Sequence, residues 1–341
     1  MKTLLILLTL TAGAFAQSNS LKSQAWNLAS EGKFDQAAVL YQEVIAANPS
    51  DASSLTTLSW CYLELKKFQE AADAARKATA IDPKSYTAQN NLGYAMIGLG
   101  QYEAALEPLR TSIKLNGAFE KSRANLINAL MKLDRRDEVI AELRGAVQAY
   151  PAKITYRRQL VGFLLQDGKF ADAIGDLEDL TKLEPTNANN FNGLGAAYAS
   201  TGQSAKATEA FRQATILEPE NIGGLKNYAF SLSAEDRSEE SIAVFQQILS
   251  KNPKDFDAVY GIASRYNNIG RLDEALTFAR QALELRPSTG QPMMMVAMIL
   301  VRKGDTDGAR EYLPKLKELN PANAAVLEKA LEKATEKKKD N

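Results

Sequence analysis

The chain has 341 residues, of which 45% are hydrophobic and 24% charged, and its 41 basic residues balance 41 acidic ones. A net charge of zero gives no broad electrostatic attraction to nucleic acid or to anionic lipid, so neither is expected as a partner. Histidine is absent from the whole sequence, which excludes Ser-His-Asp and Cys-His nucleophile activation, histidine general bases and imidazole metal ligands.

Residues 1–16 are typical of a secretory signal peptide. Lys2 is a positive start, residues 4–10 form an apolar run, and Ala14-Phe15-Ala16 has the pattern of a cleavage site. The compact pattern resembles a bacterial signal, so we expect cleavage after Ala16 and a periplasmic or secreted location. A membrane anchor is the rival interpretation, but the apolar run is well short of the roughly 20 residues that span a bilayer. No cysteine follows the run to carry a lipid, and no transmembrane segment is expected after signal removal.

From residue 18 onward the sequence repeats with a period of 34 residues. Prolines recur every 34 residues and define a regular grid of positions. Gly117 occupies the only position of this grid that lacks a proline. The grid prolines are Pro49, Pro83, Pro151, Pro185, Pro219, Pro253, Pro287 and Pro321. We divide the chain into 34-residue windows that start at residue 18 and number the places in each window from one. Place eight is mostly a small residue, place 15 is glycine or aspartate except at Lys66, and place 20 is almost always alanine. A fixed period of this length predicts a stacked array of helical units.

Each window predicts two helices. Apolar residues recur twice at helical spacing, on either side of a break such as Glu31-Gly32-Lys33. Small residues at places eight and 20 allow the two helices to approach closely. Proline at place 32 cannot continue a helix, so the second helix ends there. One helix pair buries too little apolar surface alone, and stacking of neighbouring pairs completes the core.

The pattern resembles the tetratricopeptide repeat (TPR) family. Its characteristic residues stand in one window as Phe191, Leu194, Gly195, Tyr198, Ala207, Phe211 and Pro219. The resemblance covers residues 18–323 and implies an all-α, right-handed α-solenoid of nine tandem helix-turn-helix repeats with a C-terminal capping helix. The predicted repeats are 18–51, 52–85, 86–119, 120–153, 154–187, 188–221, 222–255, 256–289 and 290–323.

Residues 324–341 are predicted to form the capping helix and a charged tail. An apolar stripe at helical spacing would cover the ninth repeat; it comprises Val326, Leu327, Ala330, Leu331 and Ala334. The final lysine-rich run is either a frayed, soluble end or a polybasic anchor. The lysines are flanked by acidic residues, which weakens their local field and favours the soluble end.

The family resemblance also implies a concave groove lined by the first helix of each repeat, at places two, five, nine, 12 and 13. Place nine carries aromatic residues in three successive repeats, namely Trp26, Trp60 and Tyr94. Rigid aromatic rings are favoured binding anchors, although they could instead fill gaps between neighbouring first helices. Further polar candidates for a partner-binding groove gather in repeats three to five: Asn90, Asn91, Lys121, Asn125, Asn128 and Arg158.

Two narrower interpretations of the groove stay open. Lys121 and Asn125 resemble parts of the clamp with which some TPR domains hold a peptide's terminal carboxylate, but Trp60 and Tyr94 replace asparagines expected at place nine. At the other end of the array, four methionines form either a soft binding patch or part of the core. These are Met293, Met294, Met295 and Met298.

The sequence contains little that could support catalysis, and we expect no enzyme, no cofactor and no metal. Its single cysteine, Cys61, is interpreted as a small buried residue rather than a redox or intermolecular site. Carboxylates fall mostly on outward places of second helices, and there is no phosphate loop or dinucleotide motif. The segments outside the array are also too short for an appended catalytic domain.

The favoured function is therefore a non-enzymatic, exported scaffold that binds an extended peptide or protein partner in the groove. The alternative is a structural or assembly component of an envelope polysaccharide or outer-membrane machine, with a glycan or an outer-membrane complex as its partner. Within the array, we expect the junction of repeats three and four to be the least stable, because Pro108 interrupts a helix and Gly117 lacks the grid proline.

Overall fold

The computed structural model describes residues 17–339, and the predicted signal peptide of residues 1–16 lies outside them. All regular secondary structure in the described residues is α-helical. By their contacts, the residues divide into two compact units, one ending at Phe163 and the other beginning at Leu164. In the described part of the chain, no helix has the length and apolar character needed to cross a bilayer.

The first unit contains four helix pairs and most of a ninth helix. Its helices are α1 (17–30), α2 (Phe34–Ala47), α3 (Ala52–Glu64), α4 (Phe68–Ile81), α5 (Tyr86–Gly98), α6 (Tyr102–Leu115), α7 (Glu120–Lys132), α8 (Arg136–Ala149) and α9 (Ile154–Gln166), which extends into the second unit. Consecutive helices from α2 to α8 pack against each other, and the first helices α3, α5 and α7 also meet their neighbours in adjacent repeats.

The second unit continues the same alternation and ends with a longer helix. Its helices are α10 (Phe170–Leu183), α11 (Ala188–Ser200), α12 (Ser204–Leu217), α13 (Ile222–Ala234), α14 (Ser238–Lys251), α15 (Phe256–Asn268), α16 (Leu272–Leu285), α17 (Gly290–Lys303), α18 (Thr306–Arg310), α19 (Leu313–Leu319) and α20 (Pro321–Lys339). The tandem helix-turn-helix arrangement expected from the sequence is therefore confirmed.

Place 15 forms the turn between the two helices of each repeat. All nine residues at this place have a positive φ: six are glycines, and the others are Lys66, Asp134 and Asp236. An L side chain is strained in this left-handed region, whereas glycine is not. The backbone therefore explains why glycine and, less often, aspartate recur at this place.

The turn between repeats uses a cap that follows the grid proline by two residues. Asp51 accepts a hydrogen bond from the amide of Ser54, and Asn221 accepts one from the amide of Gly224. Ser85, Asn187 and Asp255 cap α5, α11 and α15 in the same way. At these five helices the proline ends one helix and the polar cap begins the next, whereas the N-cap residues of α7 and α17, Phe119 and Thr289, make no side-chain cap.

Small residues allow the two helices of a pair to touch. A Cβ atom built on Gly195 would lie 2.7 Å from Cδ1 of Phe211, and one on Gly93 would lie 2.5 Å from Cγ of Leu109. Place 20 is equally tight, since Ala71 and Ala275 are fully buried. These positions confirm the close helix packing that the repeating small residues predict.

The last repeat departs from the pattern. Its second helix is split into α18 and α19 near Pro314, which has no amide hydrogen and whose ring clashes with the carbonyl of the preceding turn. The final helix, α20, begins directly at Pro321. Its buried stripe consists of Ala324, Leu327 and Leu331, whereas Val326, placed in the stripe by the sequence pattern, is 55% exposed.

Candidate functional site

A cavity of about 570 Å³ lies in the first unit, on the first helices of four successive repeats. We call it the aromatic pocket. It is lined by Trp26, Thr56, Thr57, Trp60, Leu63, Glu64, Thr87, Asn90, Asn91, Tyr94, Phe119, Lys121, Ala124 and Asn125. Apart from Phe119, which precedes α7, these residues lie on α1, α3, α5 and α7, because first helices recur every 34 residues.

Aromatic side chains form the apolar wall of the pocket. The ring centroids of Trp26 and Trp60 lie 6.3 Å apart, and Trp60 meets the edge of Phe34 at 5.3 Å. Trp26 is 54% exposed and Tyr94 41% exposed, whereas Trp60 is half-buried against the core of the first repeats. Trp60 thus fills a gap between helices and also faces the pocket, while Trp26 and Tyr94 present most of the free aromatic surface.

A hydrogen-bond network holds the asparagines of the pocket. The side-chain amide of Asn125 donates to Oδ1 of Asn90 over 3.0 Å, and that of Asn91 donates to the carbonyl of Thr56 over 3.1 Å. Oδ1 of Asn90 also accepts from the hydroxyl of Ser122 over 3.3 Å. Asn90 and Asn91 are each 5% exposed. These two residues therefore connect neighbouring repeats and fix the floor of the pocket.

Two charged side chains reach the pocket, one on α3 and one on α7. Glu64 accepts a hydrogen bond of 2.9 Å from Nε1 of Trp60, which fixes the orientation of the indole ring. Lys121 is exposed and has neither an ion pair nor a hydrogen-bond partner among residues 17–339. The pocket therefore carries a partnered carboxylate at α3 and a free ammonium group at α7.

Seven of the nine groove residues proposed from the sequence line this pocket: Trp26, Trp60, Tyr94, Asn90, Asn91, Lys121 and Asn125. Asn128 and Arg158 do not line it and are exposed on α7 and α9. The sequence interpretation missed Thr56, Thr87 and Glu64, although they occupy groove places five, two and 13. It also missed Phe119, which lies outside those places and contacts the Tyr86 ring at 5.1 Å.

The four methionines of the predicted patch pack against the core of the second unit. Met293 is buried, and Met294, Met295 and Met298 pack against the same buried cluster of the second unit. Met293 is therefore a core residue, whereas Met294, Met295 and Met298 are partly exposed and remain compatible with either interpretation.

Cys61 is also a core residue. It is fully buried beside α1 and α2, and this burial raises the pKa of its thiol to about 11. The protonated thiol is the unreactive form, so the site is unsuited to nucleophilic or redox chemistry. Among the residues described, no three or more cysteine or carboxylate side chains come together as a metal site would require.

Comparison with known proteins identifies the family. A family model described as tetratricopeptide repeat matches residues 23–86, 164–222 and 231–292, and a second model of the same description matches residues 291–323. Together the matches cover more than half of the chain, which therefore belongs to the tetratricopeptide repeat family. A search of curated proteins found no match.

Several solved structures are similar to this chain at low sequence identity. A chain of the complex described as "Structure of Naa15/Naa10 bound to HypK-THB" is 14% identical, with 93% of this chain and 67% of that chain covered and a TM-score of 0.59. MamA from Desulfovibrio magneticus RS-1 is 20% identical, with 50% and 96% covered and a TM-score of 0.47. YrrB, described as a TPR protein with an unusual peptide-binding site, is 20% identical, with 54% and 95% covered and a TM-score of 0.43.

Proposed function

We propose that this protein is a non-enzymatic scaffold whose aromatic pocket binds an extended segment of a partner protein. The observation that carries the proposal is the large exposed aromatic surface of Trp26 and Tyr94 inside a cavity of about 570 Å³. Concave apolar surfaces of this size mark binding sites, and aromatic residues are preferred anchors because they bury a large area with little loss of side-chain freedom.

The lining suits binding better than catalysis. The chain has no histidine, and the pocket holds a single carboxylate, Glu64, so neither a histidine base nor a carboxylate pair is available there. The hydroxyls of Thr56 and Thr57 donate to carbonyls of their own helix and can still accept hydrogen bonds, which suits the backbone amides of an extended peptide. The arrangement supports recognition by contact area and hydrogen bonds.

We further propose that the protein is exported and that its partner lies in the bacterial envelope or outside the cell. The support is the signal-peptide pattern of residues 1–16. The N-terminal sequence of the protein from an envelope or culture fraction is expected to begin at Gln17. Retention of Met1 in that fraction would reject cleavage after Ala16.

A selection from a displayed library of random peptides tests the binding proposal. Both tryptophans of the chain lie in the aromatic pocket, so a peptide that binds there must change the intrinsic tryptophan emission. Affinity should stay nearly constant between pH 6 and 8, because the protein has no histidine to titrate.

The control is Phe230→Ala, which removes an exposed aromatic residue at the same place of a repeat in the second unit. Selected peptides are expected to bind this variant as they bind the unmodified protein. Peptides that bind without changing the tryptophan emission, and that lose affinity in this variant, would place the binding surface outside the aromatic pocket. Binding of envelope polysaccharide instead of any peptide would favour the assembly role.

A further inference from the structure

We infer that the aromatic pocket selects an internal partner segment in which a large apolar or aromatic side chain is accompanied by an aspartate or glutamate side chain. This inference rests on the proposed function and adds the chemistry of the partner. Its basis is the combination of an aromatic wall, one free cation and asparagines that are already engaged within the protein.

The free cation is Lys121. It is exposed at the start of α7, lines the pocket, and has no ionic or hydrogen-bonding partner in the part of the chain that the structure describes. Two other cationic side chains on first helices of this unit are paired: Lys22 on α1 binds Asp51 over 2.8 Å, and Arg123 on α7 binds Glu142 over 2.7 Å. A carboxylate on the partner would give Lys121 the counter-ion that the protein does not provide.

The charges of Glu64 and Lys121 also favour one orientation of the bound segment. Glu64 lies on α3 and Lys121 on α7, and α5 is the first helix of the repeat between them. An acidic side chain of the partner is attracted to the α7 end of the pocket and repelled from the α3 end. The apolar side chain is then left to the wall formed by Trp26, Trp60 and Tyr94, and the segment has one preferred orientation.

A free terminal carboxylate fits this pocket less well. Its capture by asparagines requires exposed side-chain N–H groups that are not already used within the protein. Here Asn90 and Asn91 are almost completely buried, and one N–H of Asn125 already donates to Oδ1 of Asn90, which leaves a single N–H of Asn125 for a carboxylate. A carboxylate therefore meets mainly the lysine, and a side-chain carboxylate satisfies that contact as well as a terminal one.

Selection with matched variants tests the inference. A random peptide library is displayed within a loop, so that no peptide has a free C-terminal carboxylate. It is selected on the unmodified protein, on Lys121→Glu and on Lys132→Glu. Lys132 is the control because it is an exposed lysine on the same helix that does not line the pocket. We expect peptides with an aromatic and an acidic residue from the unmodified protein and from Lys132→Glu, and loss of the acidic preference with Lys121→Glu.

The affinities of one selected peptide and its variants then measure how much the contact between its acidic residue and Lys121 contributes to binding. Replacing its acidic residue by the matching amide should weaken binding about threefold, and Lys121→Gln should have a similar effect, as expected for a solvent-exposed ion pair. The two changes together should weaken binding no more than either alone, because they remove the same contact. Amidation of the peptide's C-terminus should leave affinity unchanged.

The possible failures are distinguishable. Peptides that need Trp60 but show no acidic preference would overturn the inference and leave the proposed function in place. Binders that come only from a library displayed with free C-termini, and that lose affinity when the C-terminus is amidated, would overturn it in favour of terminal-carboxylate capture. Peptides that bind equally well to Trp60→Ala would overturn the proposed function itself, and the inference with it.

Discussion

Lys66 adopts a backbone conformation that glycine occupies in most of the other repeats. Its φ is 58°, and the equivalent residues include Gly32 and Gly100 with φ of 76° and 74°. A side chain in this region costs about 1 kcal/mol or more, because Cβ approaches the carbonyl oxygen. The free energy of unfolding is therefore expected to rise by about 0.5–1 kcal/mol in Lys66→Gly.

Urea unfolding measures this effect, and Lys67→Gly is the control. Lys67 has an ordinary φ of −85°, so glycine there only increases the freedom of the unfolded chain and should lower stability. A loss of stability in Lys66→Gly equal to that in Lys67→Gly would contradict the strain assigned to Lys66.

Cys61 provides a second test at the scale of the residue. Because burial raises its pKa from 9.0 to about 11, the thiol stays protonated in the folded protein at pH 8. We expect it to react with a disulfide reagent far more slowly in the folded protein than in denaturant. Reaction at the same rate in both states would show that the residue is accessible.

The sign of the linked stability change follows from the same shift. The folded-state pKa lies above the unfolded one, so the contribution is fully present below about pH 9 and is lost as the pH rises toward 11. Stability should thus fall more steeply over this interval in the unmodified protein than in Cys61→Ala.

The residue scale is also where the sequence predicted least about the site. The repeat register placed Trp26, Trp60 and Tyr94 on equivalent positions of neighbouring helices, and they do line one pocket. It could not predict that Asn90 and Asn125, which are 35 residues apart, are joined by a hydrogen bond, because side-chain rotamers in two repeats decide that contact. Asn128 lies one turn beyond Asn125 on α7 and does not line the pocket.

At the scale of the helix pair, glycine has two opposite roles. Gly195 lies against Phe211, so Gly195→Ala should destabilise the second unit by about 1–3 kcal/mol through overpacking. Gly175 is exposed within α10, and a Cβ there would meet nothing within 4 Å. Gly175→Ala should stabilise the same unit by about 0.5–1 kcal/mol, because alanine loses less backbone entropy on folding.

Thermal unfolding of the two variants, with helicity followed by circular dichroism, gives the comparison. Opposite signs are expected for the two changes. Destabilisation by Gly175→Ala, or no effect of Gly195→Ala, would contradict the packing described for these helices.

The junction of repeats three and four combines a weakness with a compensating network. Pro108 lies inside α6 and has no amide to donate to the preceding turn. Across the junction, the hydroxyls of Ser112 and Ser122 lie 2.7 Å apart, and Ser122 is fully buried. The sequence-based expectation that this junction is the least stable stays a prediction, and amide exchange slowest across residues 105–127 would refute it.

The hydrogen bonds of Ser122 allow a more specific prediction about the stability of this junction. Ser122→Ala leaves Oδ1 of Asn90 without one of its donors, so it should cost about 1–2 kcal/mol and accelerate amide exchange in α5 to α7. Ser250→Ala, at an exposed serine on α14, should change stability by less than about 0.5 kcal/mol. Equal effects of the two substitutions would mean that the buried network does not stabilise the junction.

Helix boundaries show why the elements could be predicted well and their irregularities poorly. The start of α3, α5 and α11 follows from the grid prolines and from the polar caps two residues after them, which are local signals. Pro314 is a comparable local indication that the helix breaks between α18 and α19. This break was not predicted from the sequence, because the pattern of the other eight windows was applied to the ninth. The exposure of Val326 depends on the rotation of α20 against its neighbours, which helical spacing alone leaves undetermined.

At the scale of the whole molecule, the period of the sequence predicts the fold, and the pocket supports a binding function. The repeated small residues, grid prolines and place-15 turns are all local requirements of one helix pair. Because the chain has nine such pairs in its sequence, the same signals for the fold occur in repeat after repeat. Under the proposed function, the partner is selected by residues at places that vary between repeats, such as Trp60 and Lys121. A pattern of repeats contains little information about such positions.

The most direct test of the account is the affinity of a library-selected peptide for the double variant Trp26→Ala, Trp60→Ala. Trp60→Ala alone should weaken binding by about 2 kcal/mol, roughly thirtyfold, as a central anchor would, and the double variant should bind still more weakly with unchanged helicity. An unchanged affinity in a double variant that keeps its fold would contradict the account, because binding would then not involve the aromatic pocket.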